Sequence, residues 1–285
     1  SPNGPGLRYV GTNPANYSTY EIKDSGGLAN PIGALIDICN AVTNGSQSNW
    51  ETIDDVFAID PSAWAAVLEN LFSDDDSYVN KGCDFVLYRN PLDGRAHLEQ
   101  TDGNESWTTP SWTATRNFSS STKPVLSHVL AIPELRQRYL AHYRAALTEF
   151  DWTAFNAEFT AYRNLIDAAV QADPKKIYSY SHFQNNFTST VNLGGSPPFG
   201  GNLIGLQEFV TTRLAVLGND AELNATAPAI SNVKHTPSHP MPWNPVWITA
   251  AVAPNPHAVA KVELFFRPGP ARFQRATMRD DGLSG

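Results

Sequence analysis

Two groups of polar residues lie on either side of a short predicted hairpin, and together they could carry chemistry. Three successive aspartates, 74–76, are followed by Asn80, which lies four residues after Asp76 and five after Asp75; Asp102 follows the hairpin. Phosphoryl transfer uses such residue types: one carboxylate orients the attacking hydroxyl, while an amide oxygen and a second carboxylate hold a metal against the phosphates. Judged by spacing alone, a solvated loop at a helix end followed by an ordinary turn is the favoured interpretation.

The sequence around these residues resembles the spore-coat CotH kinase family. The resemblance is carried by SYVNKGCDFVLYR at 77–89 and by Asp-Gly-Asn at 102–104. A more diffuse similarity includes LRQRYL at 135–140 with the helices after it, and YEIK at 20–23 near the start. The resemblance covers roughly residues 8 to 220.

The resemblance implies an atypical kinase-like fold that transfers phosphate from ATP to Ser residues of exported proteins. On the matching positions, Asp76 would be the catalytic carboxylate, and Asn80 and Asp102 would bind the cofactor by holding Mg²⁺ or Mn²⁺. Because three aspartates occur in succession, Asp75 remains an alternative to Asp76. The implied partner is a protein substrate, with Ser-rich proteins as the expected kind, and the implied location is secreted or at the cell surface.

The chain departs from the family's pattern in two respects. Many members have Trp-Asp-x-Asp where this chain has TDGN at 101–104, so an amide replaces the second carboxylate. Kinases also cover the phosphates with an N-terminal lobe that carries a Lys. Nothing before Tyr9 could form that lobe, so residues 1–222 are interpreted as lacking it, and we expect an active enzyme only if the lobe exists upstream. Trp107 and Trp112 could stack a base, although a role as core or loop anchors is favoured.

The elements that must position these residues are mostly helical. Apolar residues at helical spacing predict helices after Pro31, after an Asp60 N-cap followed by Pro61, over 133–147, around 155–170 and over 206–217. Strand-like residues on either side of a turn composition at 90–94 predict a β-hairpin over residues 84–100. The predicted fold class is α+β: residues 1–222 form the mostly helical C-terminal lobe of an atypical kinase-like fold with a catalytic hairpin.

Composition changes near Pro228, where the chain becomes strand-like and rich in proline. Segments 246–252, 259–266 and 272–278 are typical of short strands. Residues 228–285 are therefore predicted to form an immunoglobulin-like or fibronectin-like β-sandwich. That module is expected to be truncated, because a full sandwich needs about 100 residues.

Charge and composition exclude several classes of protein. The 285 residues include 28 acidic and 20 basic side chains, a formal net charge of −8, which argues against general nucleic-acid binding. No apolar run reaches the roughly 18 residues of a membrane span. Cys39 and Cys83 could form one disulfide or remain two thiols. The rival to a kinase is a non-catalytic surface or adhesion protein that keeps the kinase-like fold.

Overall fold

Helices dominate the part of the chain that precedes the composition change. They are α1 (Pro31–Asn44), α2 (Glu51–Asp54), α3 (Ile59–Leu71), α4 (Pro133–Leu147), α5 (Trp152–Ala172), α6 (Tyr180–Asn185) and α7 (Leu206–Gly218). Two antiparallel hairpins accompany them: β1 (Phe85–Arg89) with β2 (Ala96–Gln100), and β3 (Val191–Asn192) with β4 (Asn202–Leu203). This mixture agrees with the α+β prediction.

The computed structural model describes residues 4–195, 200–254, 258–267, 269 and 272–281. The chain divides into two units, Ser1–Leu223 and Asn224–Gly285. The core of the first unit is formed by apolar side chains of α1, α3, α4 and α7 and of the π-helical turn Val125–Val129. In the part of the chain that the structure describes, none of the helices combines the length and apolar character needed to cross a membrane.

The start of α3 differs from the prediction. Asp60 lies inside the helix, whose N-cap position is Ala58, and Asp54 Oδ1 accepts the hydrogen bond of the Ile59 N–H at 3.0 Å. Asp60 instead contacts His142 Nε2 on α4 at 2.8 Å, and this hydrogen bond lowers the pKa of the Asp60 carboxyl. Asp54, five residues before Ile59, thus supplies the cap that the sequence pattern assigned to Asp60.

The hairpin is fixed to the beginning of α3 through its second strand. Ala96 forms a bridge with Phe57, and the Ala96 N–H donates to the carbonyl of Val56 at 2.9 Å. The Leu98 N–H donates to Ser62 Oγ at 3.1 Å, and both Ala96 and Leu98 are buried. The segment before α3 and the hairpin after it therefore form one structural block, with residues 72–84 connecting its parts.

A buried arginine links α7 to the end of α3. Arg213 has no exposed surface, and its guanidinium donates to the carbonyls of Leu71, Asn70 and Trp112 and to the hydroxyl of Tyr143. Burial lowers the pKa of Arg213, while the contacts with Tyr143 oppose that shift. A buried guanidinium is tolerated because its donors are satisfied by oxygen acceptors.

The second unit contains two antiparallel strand pairs among its described residues. β5 (Ala229–Thr236) pairs with β6 (Trp247–Ala253), and β7 (Glu263–Phe266) pairs with β8 (Gln274–Thr277). The strands predicted over 246–252, 259–266 and 272–278 correspond to β6, β7 and β8. β5 was not predicted because all its residues are exposed and it therefore lacks the apolar alternation of a half-buried strand.

Cys39 and Cys83 are both thiols and form no disulfide with each other. Cys39 is buried on α1, and Cys83 is partly buried in the segment that precedes β1. Burial raises the pKa of the Cys39 thiol to about 12, so it remains protonated at neutral pH. Of the two alternatives that the sequence left open, the structure has the pair of thiols.

Candidate functional site

The residues between α3 and β1 form a tightly closed loop, here called the acidic loop (residues 74–84). The carbonyl oxygen of Asp76 accepts the N–H groups of Cys83 at 3.1 Å and Asp84 at 3.0 Å, and the Gly82 N–H donates to Ser77 at 2.7 Å. Gly82 has a φ of +73°, a region that glycine enters without steric cost. The loop therefore returns on itself and brings its first aspartates to its last.

The turn after β2 is hydrogen-bonded to the acidic loop. The Asp75 N–H donates to the carbonyl of Glu105 at 3.1 Å, and the Trp107 N–H donates to the carbonyl of Phe72 at 2.7 Å. Asp102 itself is exposed and has a left-handed backbone with φ of +50°. This conformation is uncommon for residues other than glycine, although Asp and Asn adopt it more readily than most. The hairpin thus carries Asp102 back to the loop that contains Asp76.

Asp84 lies within electrostatic range of both predicted carboxylates. Partial burial raises the pKa of Asp84, the charges of Asp76 and Asp102 raise it further, and Lys81 opposes the shift. The sequence interpretation assigned no role to Asp84, although it belongs to the segment 77–89 that carries the family resemblance. The missed signal was an acidic residue immediately before a predicted buried strand.

Lys81 joins two of the consecutive aspartates. Its Nζ lies 2.5 Å from Asp75 Oδ2 and also contacts Asp76 Oδ1. These hydrogen bonds, first with Asp75 and then with Asp76, raise the pKa of Lys81. Asp75 is further engaged through Oδ1, which accepts the Asn80 Nδ2–H at 2.9 Å. Among the described residues, Asp76 makes its side-chain hydrogen bond through Oδ1, and Oδ2 has no such partner.

Asn80 is held by an arginine from the following loop. Its Oδ1 accepts from Arg116 Nε at 3.0 Å and from Nη2 at 2.7 Å. The guanidinium of Arg116 lies 4.3 Å above the ring of Trp112, which is buried. A metal ion bound to Asn80 Oδ1 would have to displace this guanidinium. Because its buried ring stacks on the guanidinium, Trp112 anchors Arg116, in agreement with the loop-anchor interpretation of that tryptophan.

Two carboxyl groups at the start of this region are buried: Glu69, near the end of α3, and Asp74, the first residue of the acidic loop. Glu69 Oε2 accepts the Val79 N–H at 3.1 Å, and burial raises the pKa of Glu69 to about 8, so it is largely protonated at neutral pH. Asp74 Oδ2 accepts from Gln100 Nε2 at 2.6 Å, and burial also raises the pKa of Asp74. Within the described chain, Glu69 Oε1 and Asp74 Oδ1 are buried without a hydrogen-bond partner.

A family model described as CotH kinase protein matches residues 2–217. The chain belongs to the CotH kinase family. The match includes the acidic loop, the Asp102 turn and the helices as far as most of α7, and it stops before the second unit begins. The resemblance predicted from segments 77–89 and 102–104 is thereby confirmed. No curated protein matches the chain significantly.

Membership of the CotH family indicates a kinase-like activity, which generally uses ATP, a divalent metal and a protein substrate. In the described residues, no group of three or more His, Cys, Asp or Glu side chains is close enough to hold a metal ion by itself. Mg²⁺ is commonly bound by one or two carboxylates while phosphate oxygens and water complete its shell. The acidic loop and Asp102 offer oxygen donors of that kind.

Two cavities are lined by described residues of the first unit, and neither is lined by Asp76, Asp84 or Asp102. A mostly apolar groove of about 560 Å³ lies between α5, α6, the β3–β4 hairpin and the start of α7. A more polar pocket of about 480 Å³ is bounded by Arg8, Asn16, Tyr20 and Cys83. Because Cys83 belongs to the acidic loop, this second pocket opens beside the candidate site. Trp107 packs against Phe72 and Phe209, which fits the core-anchor interpretation and not a base-stacking role.

Proposed function

We propose that this CotH-family chain carries the catalytic residues of an ATP-dependent kinase that phosphorylates Ser residues of a secreted or cell-surface protein. The observation that carries the proposal is the hydrogen bonding that joins the start of the acidic loop to its end and to the turn after β2: the Asp84 N–H donates to the carbonyl of Asp76, and the Asp75 N–H donates to the carbonyl of Glu105. In this arrangement Asp76 and Asp102 lie within electrostatic range of Asp84, whose pKa is raised by burial and then by those two charges. Close carboxylates at a surface are typical of sites that bind metal and phosphate.

Asp76 is the proposed general base. Lys81 holds Asp76 Oδ1, so Oδ2 is the oxygen that can accept the proton of an acceptor Ser hydroxyl. Both oxygens of Asp75 are engaged, by Asn80 and by Lys81. The hydrogen-bonding pattern therefore favours Asp76 over Asp75. A base must lie within hydrogen-bond reach of the proton that it removes, and Asp76 is the better placed of the two.

Asp84 and Asp102 are the proposed ligands of Mg²⁺ or Mn²⁺. Burial and then the charges of Asp76 and Asp102 raise the pKa of Asp84, and a cation near Asp84 and Asp102 would offset that repulsion. Two carboxylates are a donor set that suits Mg²⁺ when phosphate oxygens and water supply its other ligands. Asn80, the ligand expected from sequence, is better regarded as a support for Asp75, because its oxygen is occupied by Arg116. When bound, the metal would neutralise the phosphates of ATP.

The kinase-like lobe and the β-sandwich are part of the same proposal. The helical unit with its hairpin is consistent with the C-terminal lobe of an atypical kinase. The two strand pairs of the second unit, with alternating exposure along β6, support an immunoglobulin-like or fibronectin-like module. Several large apolar side chains of that unit are exposed, among them Ile230, Val233 and Trp243. Exposed apolar surface of this kind favours a binding role for the module and keeps a non-catalytic adhesion protein as the second candidate function.

Transfer of the labelled γ-phosphate of ATP tests the proposal directly. The full-length protein is incubated with Mg²⁺ or Mn²⁺ and a Ser-rich acceptor, and phosphoserine is identified by mass spectrometry. We expect transfer that depends on the divalent cation and is retained by Asp37→Asn, which removes an exposed carboxylate of α1. The absence of transfer to any Ser-containing acceptor, together with binding to cell surfaces, would favour the adhesion function.

A further inference from the structure

The strongest unexplained feature of the acidic loop is the ammonium group of Lys81. It lies between two consecutive carboxylates, 2.5 Å from Asp75 Oδ2 and in contact with Asp76 Oδ1. The side chain of Lys81 is 23% exposed and that of Asp76 is 17% exposed, so this contact is partly shielded from water. Partial shielding makes the attraction stronger than that of a surface ion pair.

Lys81 contributes the positive charge within a strongly acidic segment. The acidic loop contains four aspartates, at positions 74, 75, 76 and 84, with Lys81 as its one basic residue. The neighbouring cation Arg116 directs its hydrogen bonds to the amide oxygen of Asn80 and not to a carboxylate. The charge of Lys81 also acts on Asp84, where it opposes the rise in pKa caused by burial and by the charges of Asp76 and Asp102.

The backbone holds Lys81 at this point. Its carbonyl oxygen accepts the Gly4 N–H at 2.9 Å, and the next residue, Gly82, is hydrogen-bonded to Ser77. Hydrogen bonds thus hold the backbone of Lys81 and of the next residue, and the side chain of Lys81 extends back across the loop to Asp75 and Asp76. The contact is thus built into the loop's fold.

We propose that Lys81 is a built-in counter-ion of the candidate site: its ammonium group pairs with Asp75 and Asp76, and its positive charge competes with a divalent cation for the negative potential around Asp84 and Asp102. The inference rests on the proposed function, because it assigns Lys81 a role at the same site. Lys81 is thereby a positioning residue: it keeps Asp76 in place in the empty protein and weakens metal binding until nucleotide phosphates add their own ligands. Its removal should increase the affinity of the empty protein for a divalent cation.

Mn²⁺ binding to the full chain without nucleotide or acceptor tests this competition, measured by electron paramagnetic resonance of the free ion. Lys81→Met should bind Mn²⁺ at least about threefold more tightly than the wild type, the size of effect expected for losing one partly exposed ion pair. Lys81→Gln is a second neutral variant in case the first folds poorly, and Lys81→Arg should behave as the wild type. Lys23→Met is the matched control, because Lys23 forms an exposed pair with Glu21 at 2.5 Å.

Equal or weaker Mn²⁺ binding by the folded neutral variants overturns the proposal, and so does the absence of binding by both wild type and variants. A purely structural role for Lys81 would lower stability without tightening Mn²⁺ binding. The measurement needs neither ATP nor an acceptor protein. A protein that binds Mn²⁺ as expected but transfers no phosphate would therefore contradict the kinase proposal and leave the counter-ion inference intact.

Discussion

The backbone N–H of Asp84 donates a hydrogen bond to the carbonyl oxygen of Asp76 at 3.0 Å. This single bond brings together two carboxylates that are eight residues apart and closes the acidic loop at the point where β1 begins. Their side chains then repel each other, as the raised pKa of Asp84 reflects after the contribution of burial. Such repulsion is relieved by a cation, so we expect Asp84 to contribute to cation binding.

Asp76→Asn should abolish phosphate transfer while leaving the protein folded. Loss of a general base lowers the rate about 10²–10⁴-fold. The variant loses a partly exposed ion pair with Lys81, so we expect the free energy of unfolding to change by no more than about 1 kcal/mol. Transfer of labelled phosphate and urea denaturation measure the two quantities.

Asp75→Asn is the matched control for that variant, and we expect it to retain most of the activity. Asp75 contributes to the loop through Asn80 and Lys81, and an asparagine keeps an acceptor oxygen for Asn80. If Asp75→Asn were inactive and Asp76→Asn active, the catalytic assignment would move by one residue.

Asp84→Asn and Asp102→Asn should each remove most of the rise in melting temperature that Mg²⁺ with ATP produces in the wild type. A ligand that binds the folded state raises its stability by mass action, and each variant loses a proposed metal ligand. Without ligand, Asp84→Asn should be at least as stable as the wild type at pH 7, because the replaced carboxylate is crowded by Asp76 and Asp102. Differential scanning fluorimetry measures both effects.

Asp37→Asn is the control for these metal variants and should keep the full ligand-induced shift, since Asp37 is exposed on α1. A wild-type shift in Asp84→Asn would contradict the role of Asp84. Loss of the shift in the Asp37 control would instead indicate a general effect of net charge.

Glu69 should make the protein less stable as pH rises. Its pKa is raised by burial from 4.5 to about 8 in the folded state, so its contribution to stability is complete below pH 4.5 and is lost as pH rises through 8. Between these values the unfolded state releases a proton that the folded state keeps. This lowers the free energy of unfolding by about 1.4 kcal/mol per pH unit.

Glu69→Gln carries no titrating group at this position and should remove that slope. Urea denaturation of both proteins at several pH values between 5 and 8 measures the difference, in which the contributions of other groups cancel. Parallel curves for the two proteins would contradict the burial of an isolated carboxyl group at Glu69.

Arg213→Met should strongly destabilise the first unit, Ser1–Leu223. The substitution leaves the buried carbonyls of Asn70, Leu71 and Trp112 without their donor, and each such loss costs about 1–3 kcal/mol. We expect a decrease of about 3 kcal/mol or more in the free energy of unfolding, seen as a lower urea midpoint. Arg163→Met, which removes an arginine stacked on Phe187, should cost about 1 kcal/mol or less. Similar urea midpoints for the two variants would show that the hydrogen bonds of Arg213 are not a principal link between α7 and α3.

Limited proteolysis should first cut the chain within residues 224–228. The sequence places the vulnerable stretch more broadly, between Gly218 and Pro228. Leu223 is buried, however, and its carbonyl accepts from Arg144 Nη1 at 3.1 Å, while Glu222 pairs with Arg136 Nη2 at 2.6 Å. Residues 224–228 are exposed. Mass spectrometry of the early fragments locates the cut, and initial cleavage inside 219–223 would contradict this boundary.

Local sequence was sufficient for the elements whose signals lie within a few residues. The spacing of apolar residues gave α4 and the hairpin closely, because an amphipathic helix and an alternating strand pair each express their buried face in their own period. The segment 77–89 with Asp102 also indicated the CotH family, since a family resemblance is carried by short runs of contiguous residues.

Tertiary structure decided which polar side chains meet. The capping of α3 by Asp54, the burial of Arg213 against the end of α3, and the hold of Arg116 on Asn80 each join residues at separations that no local period encodes. The same holds for Asp84, which sequence left without a role and which gains one through its closeness to Asp76 and Asp102. Charge interactions depend on distance and burial in three dimensions, and the sequence specifies both only through the completed fold.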